Sequence, residues 1–203
     1  MIRSRQNDGL WTITIDRPDK ANSLTRAMLE EIDALAARAG AEGARVLVLR
    51  GTGKVFSAGA DLDEARAGLA TDGVWERLSA RIAGLGCLTV AALNGTLAGG
   101  AMGMALACDL RIAVPGARFF YPVMKLGFLP QPSDPRRMAA LIGPARTKMI
   151  LMAGQKIEAD EALSWGLIDR IVAPEALDET IAALSVDPQG AAATHVAAIK
   201  AMI

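Results

Sequence analysis

The sequence predicts one α/β domain, and three observations carry that prediction. Short apolar runs of strand character recur at residues 10–16, 46–49, 89–93 and 110–114. Glycine turns follow several of them, and apolar positions then move to helical spacing, so strand, glycine turn and helix alternate along the chain. No stretch rich in Ser, Gly or charge divides the 203 residues. The chain is therefore expected to form a single domain over residues 1–203, with a core over 1–142 and a helical region over 143–203.

Residues 10–16 alternate Trp11, Ile13 and Ile15 against Thr12 and Thr14, the period of a half-buried strand, and Arg17-Pro18-Asp19 breaks it. From residue 26 to 39 the apolar residues Met28, Ile32, Leu35 and Ala39 share a helical face; Thr25 is placed to cap it and Leu24 to staple onto Leu29. The continuous run 46–49 between Arg45 and Arg50 suits a strand covered on both faces. Residues 89–93 lead to Asn94-Gly95, after which Gly99-Gly100 opens a buried helix over 101–107. Residues 110–114 form another strand, Pro115-Gly116 turns, and 118–121 are expected to pair back on it. Pro122, Pro130, Pro132 and Pro135 make 122–135 a loop. Helices are expected at 136–142, at 144–153 between Pro144 and Gly154, at 159–165, near 175–184 and near 190–202, with a short strand at 168–172.

Composition removes several function classes. The 22 basic and 22 acidic residues cancel and no basic stripe appears, so the phosphate-neutralising footprint of a nucleic-acid binder is missing. The N-terminal residues lack a signal-peptide core and no run of about 18 apolar residues occurs, so a cytoplasmic, non-membrane protein is expected. Two cysteines, Cys87 and Cys108, and the single His195 supply neither a disulfide framework nor a metal-ligand cluster. His195 is expected to be a solvent-facing helix residue and no base for a nucleophilic triad.

The glycine clusters do not match nucleotide motifs. Before Gly53-Lys54 a phosphate loop needs glycine where Val48 stands, and Val55 occupies the position of its Ser or Thr. Glycines 95, 99, 100 and 103 do not follow the G-x-G-x-x-G order. What remains is a pair of small-residue turns, Phe56-Ser-Ala-Gly-Ala-Asp-Leu62 and Asn94-Gly-Thr-Leu-Ala-Gly-Gly-Ala-Met-Gly103, each expected to follow a strand and precede a helix. Such turns leave backbone N–H groups uncovered, and two of them aimed at one point can hold an oxyanion. Either run alone is more often explained by tight turning and close helix packing.

FSAGADL, AALNGTLAGGAMGMALACDLRIA, FYPVMKLGFLP and AGQKIEADEALSWGLIDRIV, in that order, together with the opening IDRPDKANSL, resemble the crotonase family, also called the enoyl-CoA hydratase/isomerase family. The resemblance implies a crotonase-like spiral of ββα units with a helical C-terminal part, shortened at the C-terminus, where only about the first of a usual further pair of helices is present. It implies an acyl-coenzyme A substrate such as those of fatty acid metabolism, no permanently bound cofactor or metal, and assembly as a homotrimer or hexamer. It places the oxyanion-hole amides on Ala60 and Gly100, and coenzyme A contacts on Lys20, Ala21, Ala58, Asp61 and Leu62. Two such amides stabilise the negative oxygen of a thioester enolate.

The acids that set the reaction in that family are replaced. Gly103 and Val123 stand where hydratases carry two glutamates, and Gln131 stands where some isomerases place an acid; none has a useful acid-base pKa. Asp134 is a substitute within the proline-bounded loop, although its commoner role is N-cap of the 136–142 helix. Tyr121 could exchange a proton through its hydroxyl, although a packed strand-end ring is the commoner role. Asp61 and Glu64 are expected to cap the following helix, Lys20 and Lys125 to be solvated or to meet coenzyme A phosphates, and Cys108 to be a small core residue. Hydration is therefore doubtful from sequence, and a catalyst using a displaced acid or a reaction that needs no strong base, such as decarboxylation, a non-catalytic acyl-CoA-binding protein and an assembly subunit all remain open.

Overall fold

A computed structural model describes all residues, 1–203. It opens with a hairpin in which β1 (Ile2–Asn7) pairs antiparallel with β2 (Leu10–Ile15). The alternation of β2 is realised: Trp11, Ile13 and Ile15 are buried. Helix α1 (Arg26–Ala41) follows, capped by the Thr25 hydroxyl accepting from the Met28 amide, and it buries Met28, Leu29, Ile32, Ala36 and Ala39. At about 1.5–3 kcal/mol for each fully buried Leu, Ile or Met side chain, that face fixes the helix far more firmly than its cap does.

Three further turns repeat one pattern: a long strand, a short strand and then a helix. The first comprises β3 (Val46–Gly51), β4 (Val55–Ser57), α2 (Leu62–Arg66) and α3 (Val74–Ala83). The second comprises β5 (Leu88–Leu93), β6 (Thr96–Ala98) and α4 (Ala101–Ala107). The third comprises β7 (Leu110–Ala113), β8 (Arg118–Phe120), α5 (Val123–Leu126) and α6 (Asp134–Leu151). The chain closes with β9 (Ile157–Glu158), α7 (Ala159–Trp165), β10 (Arg170–Ile171), α8 (Leu177–Gly190) and α9 (Ala193–Lys200).

The long strands make a six-stranded sheet ordered β1-β2-β3-β5-β7-β10, and the short ones a four-stranded sheet ordered β4-β6-β8-β9. Strands β2, β3, β5, β7 and β10 run parallel, which requires a crossover after each and explains why every turn carries a helix. Helix α8 lies against β3 and β5, so the apolar run of β3 is covered as its composition predicts. The result is the expected spiral of ββα units. In its opening turn a single parallel bridge, Leu24 to Ala60, takes the place of a short strand.

Several expectations are corrected. Residues 118–121 do not pair back on β7; β8 joins β6 in parallel and β9 in antiparallel, because the four-residue link from β7 crosses to the second sheet. Residues 122–135 are not all loop: Pro122 precedes α5, and α6 begins at Asp134 with a proline in its first turn, where no intrahelical N–H is required. The two helices expected at 136–142 and 144–153 form one element kinked at Gly143, whose φ of 79° is non-helical. Strand β1 and helix α3 went unread, β1 because only Ile2 is buried and no alternation marks it. Helix α3 buries Val74, Trp75, Leu78 and Ile82 at helical spacing, a signal that was available.

Candidate active site

Turn one runs from β4 through Ala58, Gly59, Ala60 and Asp61 into α2. The Ala58 amide donates to Ala21 O (3.0 Å), the Leu24 amide to Gly59 O (2.8 Å) and the Asp61 amide to Leu24 O (2.8 Å). In a parallel bridge the bonds leave from the neighbours of the bridged residue, so the Ala60 N–H faces the other way and has no acceptor within the chain. Turn two runs from β6 through Gly99 and Gly100 into α4. Gly99 donates to Phe120 O (3.1 Å), while Gly100 begins the helix at φ −58° with its N–H unpartnered.

The two turns touch. At Gly59, φ is 91°, and a Cβ there would fall 2.9 Å from Ala98 O and 3.4 Å from the Gly100 nitrogen. Only glycine allows that conformation at that spacing. Ala58, Ala60, Gly99 and Gly100 accordingly line one cavity of about 220 Å³, together with Leu62, Ala65, Ala70, Trp75, Tyr121, Pro122, Val123, Leu126, Phe128 and Leu129. Its wall is mostly apolar, which suits an acyl chain.

Side chains missed in the sequence hold these turns. Buried Asn22 sits at φ 53°, accepts from the Arg17 amide (2.8 Å) and donates to Thr52 O (2.9 Å) and Val55 O (2.6 Å). Ser57 Oγ donates to Asn22 O (2.8 Å) and accepts from the Gly59 amide (3.1 Å), fixing the residue before Ala60. Asp61 caps α2 as expected, accepting from the Asp63 amide, and also takes Arg17 Nη1 at 2.8 Å. That ion pair, helped by the capping bonds, holds the Asp61 carboxyl below its ordinary pKa. Glu64 instead reaches α1, accepting from the Arg26 amide at 2.7 Å. Asn beside a sharp turn, with Ser two residues before the glycine, was the available signal.

Asp134 is not an N-cap. Ser133 holds the residue position before α6 without a side-chain cap bond, and Asp134 enters the helix with its carboxyl turned inward and 0% exposed. Tyr121 Oη donates to Asp134 Oδ2 at 3.0 Å, and Asp134 Oδ1 has no partner. A Cβ at Gly103 would lie 2.7 Å from that Oδ1, so the carboxyl occupies the space vacated by the missing side chain at 103. Burial pushes Asp134 up to about 7, against lowering by the Tyr121 hydroxyl and Arg137; Glu76 adds to the rise. Burial and the neighbouring carboxyl raise Tyr121 as well. Tyr121 is thus a packed residue, 5% exposed, that lines the cavity and whose hydroxyl meets Asp134 behind it.

The remaining predicted positions are found as follows. Lys20 is exposed at the end of a single 3-10 turn (Pro18–Lys20), and Ala21, at φ 49°, is joined through its carbonyl to Ala58. Leu62 is 73% exposed at the cavity mouth. Lys20, Ala21, Ala58, Asp61 and Leu62 therefore lie along one continuous stretch of surface backbone leading to Ala60. Val123 is buried on the cavity wall, and the Gln131 amide points at Tyr121 Oη (3.5 Å). Cys108 is buried with its thiol pushed up to about 12, as a core residue would be, and His195 is exposed. No helix is long and apolar enough to cross a membrane, and no group of three or more His, Cys, Asp or Glu is placed to hold a metal ion.

Comparison with known proteins shows the family. A sequence model described as enoyl-CoA hydratase/isomerase matches residues 5–203. The chain is 35% identical over 172 residues to a probable enoyl-CoA hydratase, echA6, of Mycobacterium tuberculosis, covering 84% of this chain and 70% of that one. It is 33% identical over 180 residues to 4-chlorobenzoyl coenzyme A dehalogenase-1 of an Arthrobacter species, covering 84% of this chain and 65% of that one. Among solved structures, an enoyl-CoA hydratase from Bacillus anthracis superposes with a TM-score of 0.91 at 30% identity, covering 98% of this chain and 80% of the other. With its ββα spiral and paired glycine turns, the chain belongs to the enoyl-CoA hydratase/isomerase (crotonase) family, whose members take coenzyme A thioesters as substrates without a permanently bound cofactor.

Proposed function

We propose that the protein is an acyl-coenzyme A enzyme that stabilises a thioester enolate between the backbone amides of Ala60 and Gly100. One observation carries this reading: Ala60 and Gly100, two residues whose N–H groups have no internal acceptor, line the same apolar cavity, from turns in van der Waals contact. Charge that develops on a thioester oxygen there meets donors already fixed by Ser57, Asn22 and the Arg17–Asp61 pair, so no reorganisation is needed as the reaction proceeds. The exposed backbone at Lys20, Ala21 and Ala58, with Asp61 and Leu62, carries the pantetheine and nucleotide outward, and the assembly is a homotrimer or hexamer. A relative at 33% identity is named for dehalogenation, so membership of the family leaves the reaction open and the side chains of the cavity decide it.

A second reading, an acyl-CoA-binding protein without chemistry, is favoured by Gly103, Val123 and Gln131, none of which transfers a proton. Incubation with crotonyl-CoA, a 3-enoyl-CoA and a malonyl-type thioester separates the two. Turnover of at least one is expected; calorimetric binding of all three with no product from any would leave the binding role alone.

A further inference from the structure

We propose that Tyr121 is the proton-transfer group of this site, and that Asp134, set in the space left by Gly103, is the positioning residue that trades a proton with it. The inference rests on the enolate reading above and supplies the acid and base which that reading lacks.

Tyr121 is the one hydroxyl-bearing residue among those lining the cavity. It follows Phe120 directly, and the Phe120 carbonyl holds the Gly99 amide, so the hydroxyl and the oxyanion turn are fixed to the same strand end. Behind it the Asp134 carboxyl is sealed from water, with one oxygen taken by Tyr121 and the other orphaned against Gly103. An ionised carboxylate there is costly, because a buried charge needs all its lone pairs satisfied. The titratable groups facing it are few: Tyr121 from the end of β8, Arg137 from its own helix and Glu76 from α3, while α4 carries none and meets it at Gly103. Glu76 is itself engaged by the Ser133 amide (3.1 Å) and hydroxyl. Its burial places Asp134 at about 7, where gain and loss of a proton are both accessible.

The step balances within the chain. With Asp134 ionised, the C–H bond at the thioester α-carbon breaks and its proton passes to Tyr121 Oη, as the tyrosine's own proton moves to Asp134 Oδ2. The bonding pair moves into the thioester, placing charge on the oxygen between the Ala60 and Gly100 amides. Return of a proton from Tyr121 Oη to the α-carbon, or to the γ-carbon of an unsaturated chain, restores the carboxylate, and where the tyrosine proton has first traded with water in the open cavity the carbon takes up solvent hydrogen. One such relay suffices for proton exchange or for moving a double bond. Adding water would need a second group to activate it, and Gly103, Val123 and Gln131 provide none.

The test is α-proton exchange of butyryl-CoA in deuterium oxide, followed by mass spectrometry, with thioester binding by calorimetry and the bound carbonyl frequency by infrared spectroscopy. Wild-type protein is expected to exchange at a rate that rises with pH through about 7. Tyr121→Phe should slow exchange about 100-fold or more at nearly unchanged binding. Asp134→Asn should leave weak exchange with that pH rise abolished, which a merely structural carboxyl would not do. Should Tyr121→Phe fail to fold with its buried carboxyl bereft, the Tyr121→Phe/Asp134→Asn double variant removes both partners together and must show the same loss. Exchange at the wild-type rate in Tyr121→Phe or in that double variant, or an unchanged pH profile in Asp134→Asn, overturns the relay. A wild type that binds, shifts the carbonyl and does not exchange also overturns it while sparing the oxyanion reading; binding with no carbonyl shift removes the oxyanion reading itself.

Discussion

Replacing Asp134 by Asn keeps the shape of the buried side chain and an acceptor for Tyr121, and removes only its ability to ionise. The native carboxyl is held up to about 7, whereas in an unfolded chain an aspartate titrates near roughly 4. The folded state therefore binds the proton more tightly. The stabilisation from this group is fully present below pH of about 4 and is lost as pH rises through about 7, reaching a total loss of roughly 4 kcal/mol above pH of about 8. Most of that, about 3 kcal/mol, falls between pH of about 5 and 8. Urea denaturation of both proteins at those two pH values isolates it, because every other group titrates in both. The Asn variant should gain about 3 kcal/mol on wild type over that interval. A difference between the two proteins that stays constant with pH would refute a buried carboxyl held up to about 7.

Gly103→Ala puts a methyl 2.7 Å from Asp134 Oδ1 and should cost about 1–3 kcal/mol, measured by thermal or urea unfolding; Asp134→Gly in the same chain should recover most of it. Gly100→Pro removes one of the proposed donors at a φ of −58° that proline accepts, so any turnover should fall about 100-fold or more, while the ring must displace Trp75, whose atoms lie 3.1 Å from the new Cβ. Near-UV circular dichroism of the tryptophans checks that this displacement leaves the fold in place. Arg17→Gln frees the Asp61 carboxyl from its ion pair, and the resulting looser Ala60 turn should raise KM less than it lowers kcat for any thioester turned over.

The parts of the fold legible in the sequence are those where one physical demand dominates. The period of two in β2, the doubly covered run of β3 and the capped, one-faced α1 all emerge where burial alone fixes the pattern. Strand β1 was illegible because the backbone pairing that makes it a strand leaves no mark on side chains that face water. The destination of β8 was illegible for another reason: a short apolar strand after a Pro-Gly turn fits a hairpin locally, and only the spiral sends it to the second sheet. In the candidate site, small residues at Ala60 and Gly100 announced exposed amides. The inward turn of Asp134 depends on a cavity opposite it, at Gly103, thirty-one positions earlier in the chain. A helix-start aspartate reads as a cap until that vacancy is seen.

Deleting the Gly100 N–H alone, by building a backbone ester at that residue, probes the pair of donors without adding a side chain beside Trp75; an ester at exposed Gly116 serves as the control. The stretching frequency of a carbon-13-labelled thioester carbonyl, bound to each protein, is the quantity to record. It should drop on binding to the native chain and to the control, and most of that drop should vanish with the ester at 100. An equal drop in all three would mean that the carbonyl rests somewhere other than between Ala60 and Gly100.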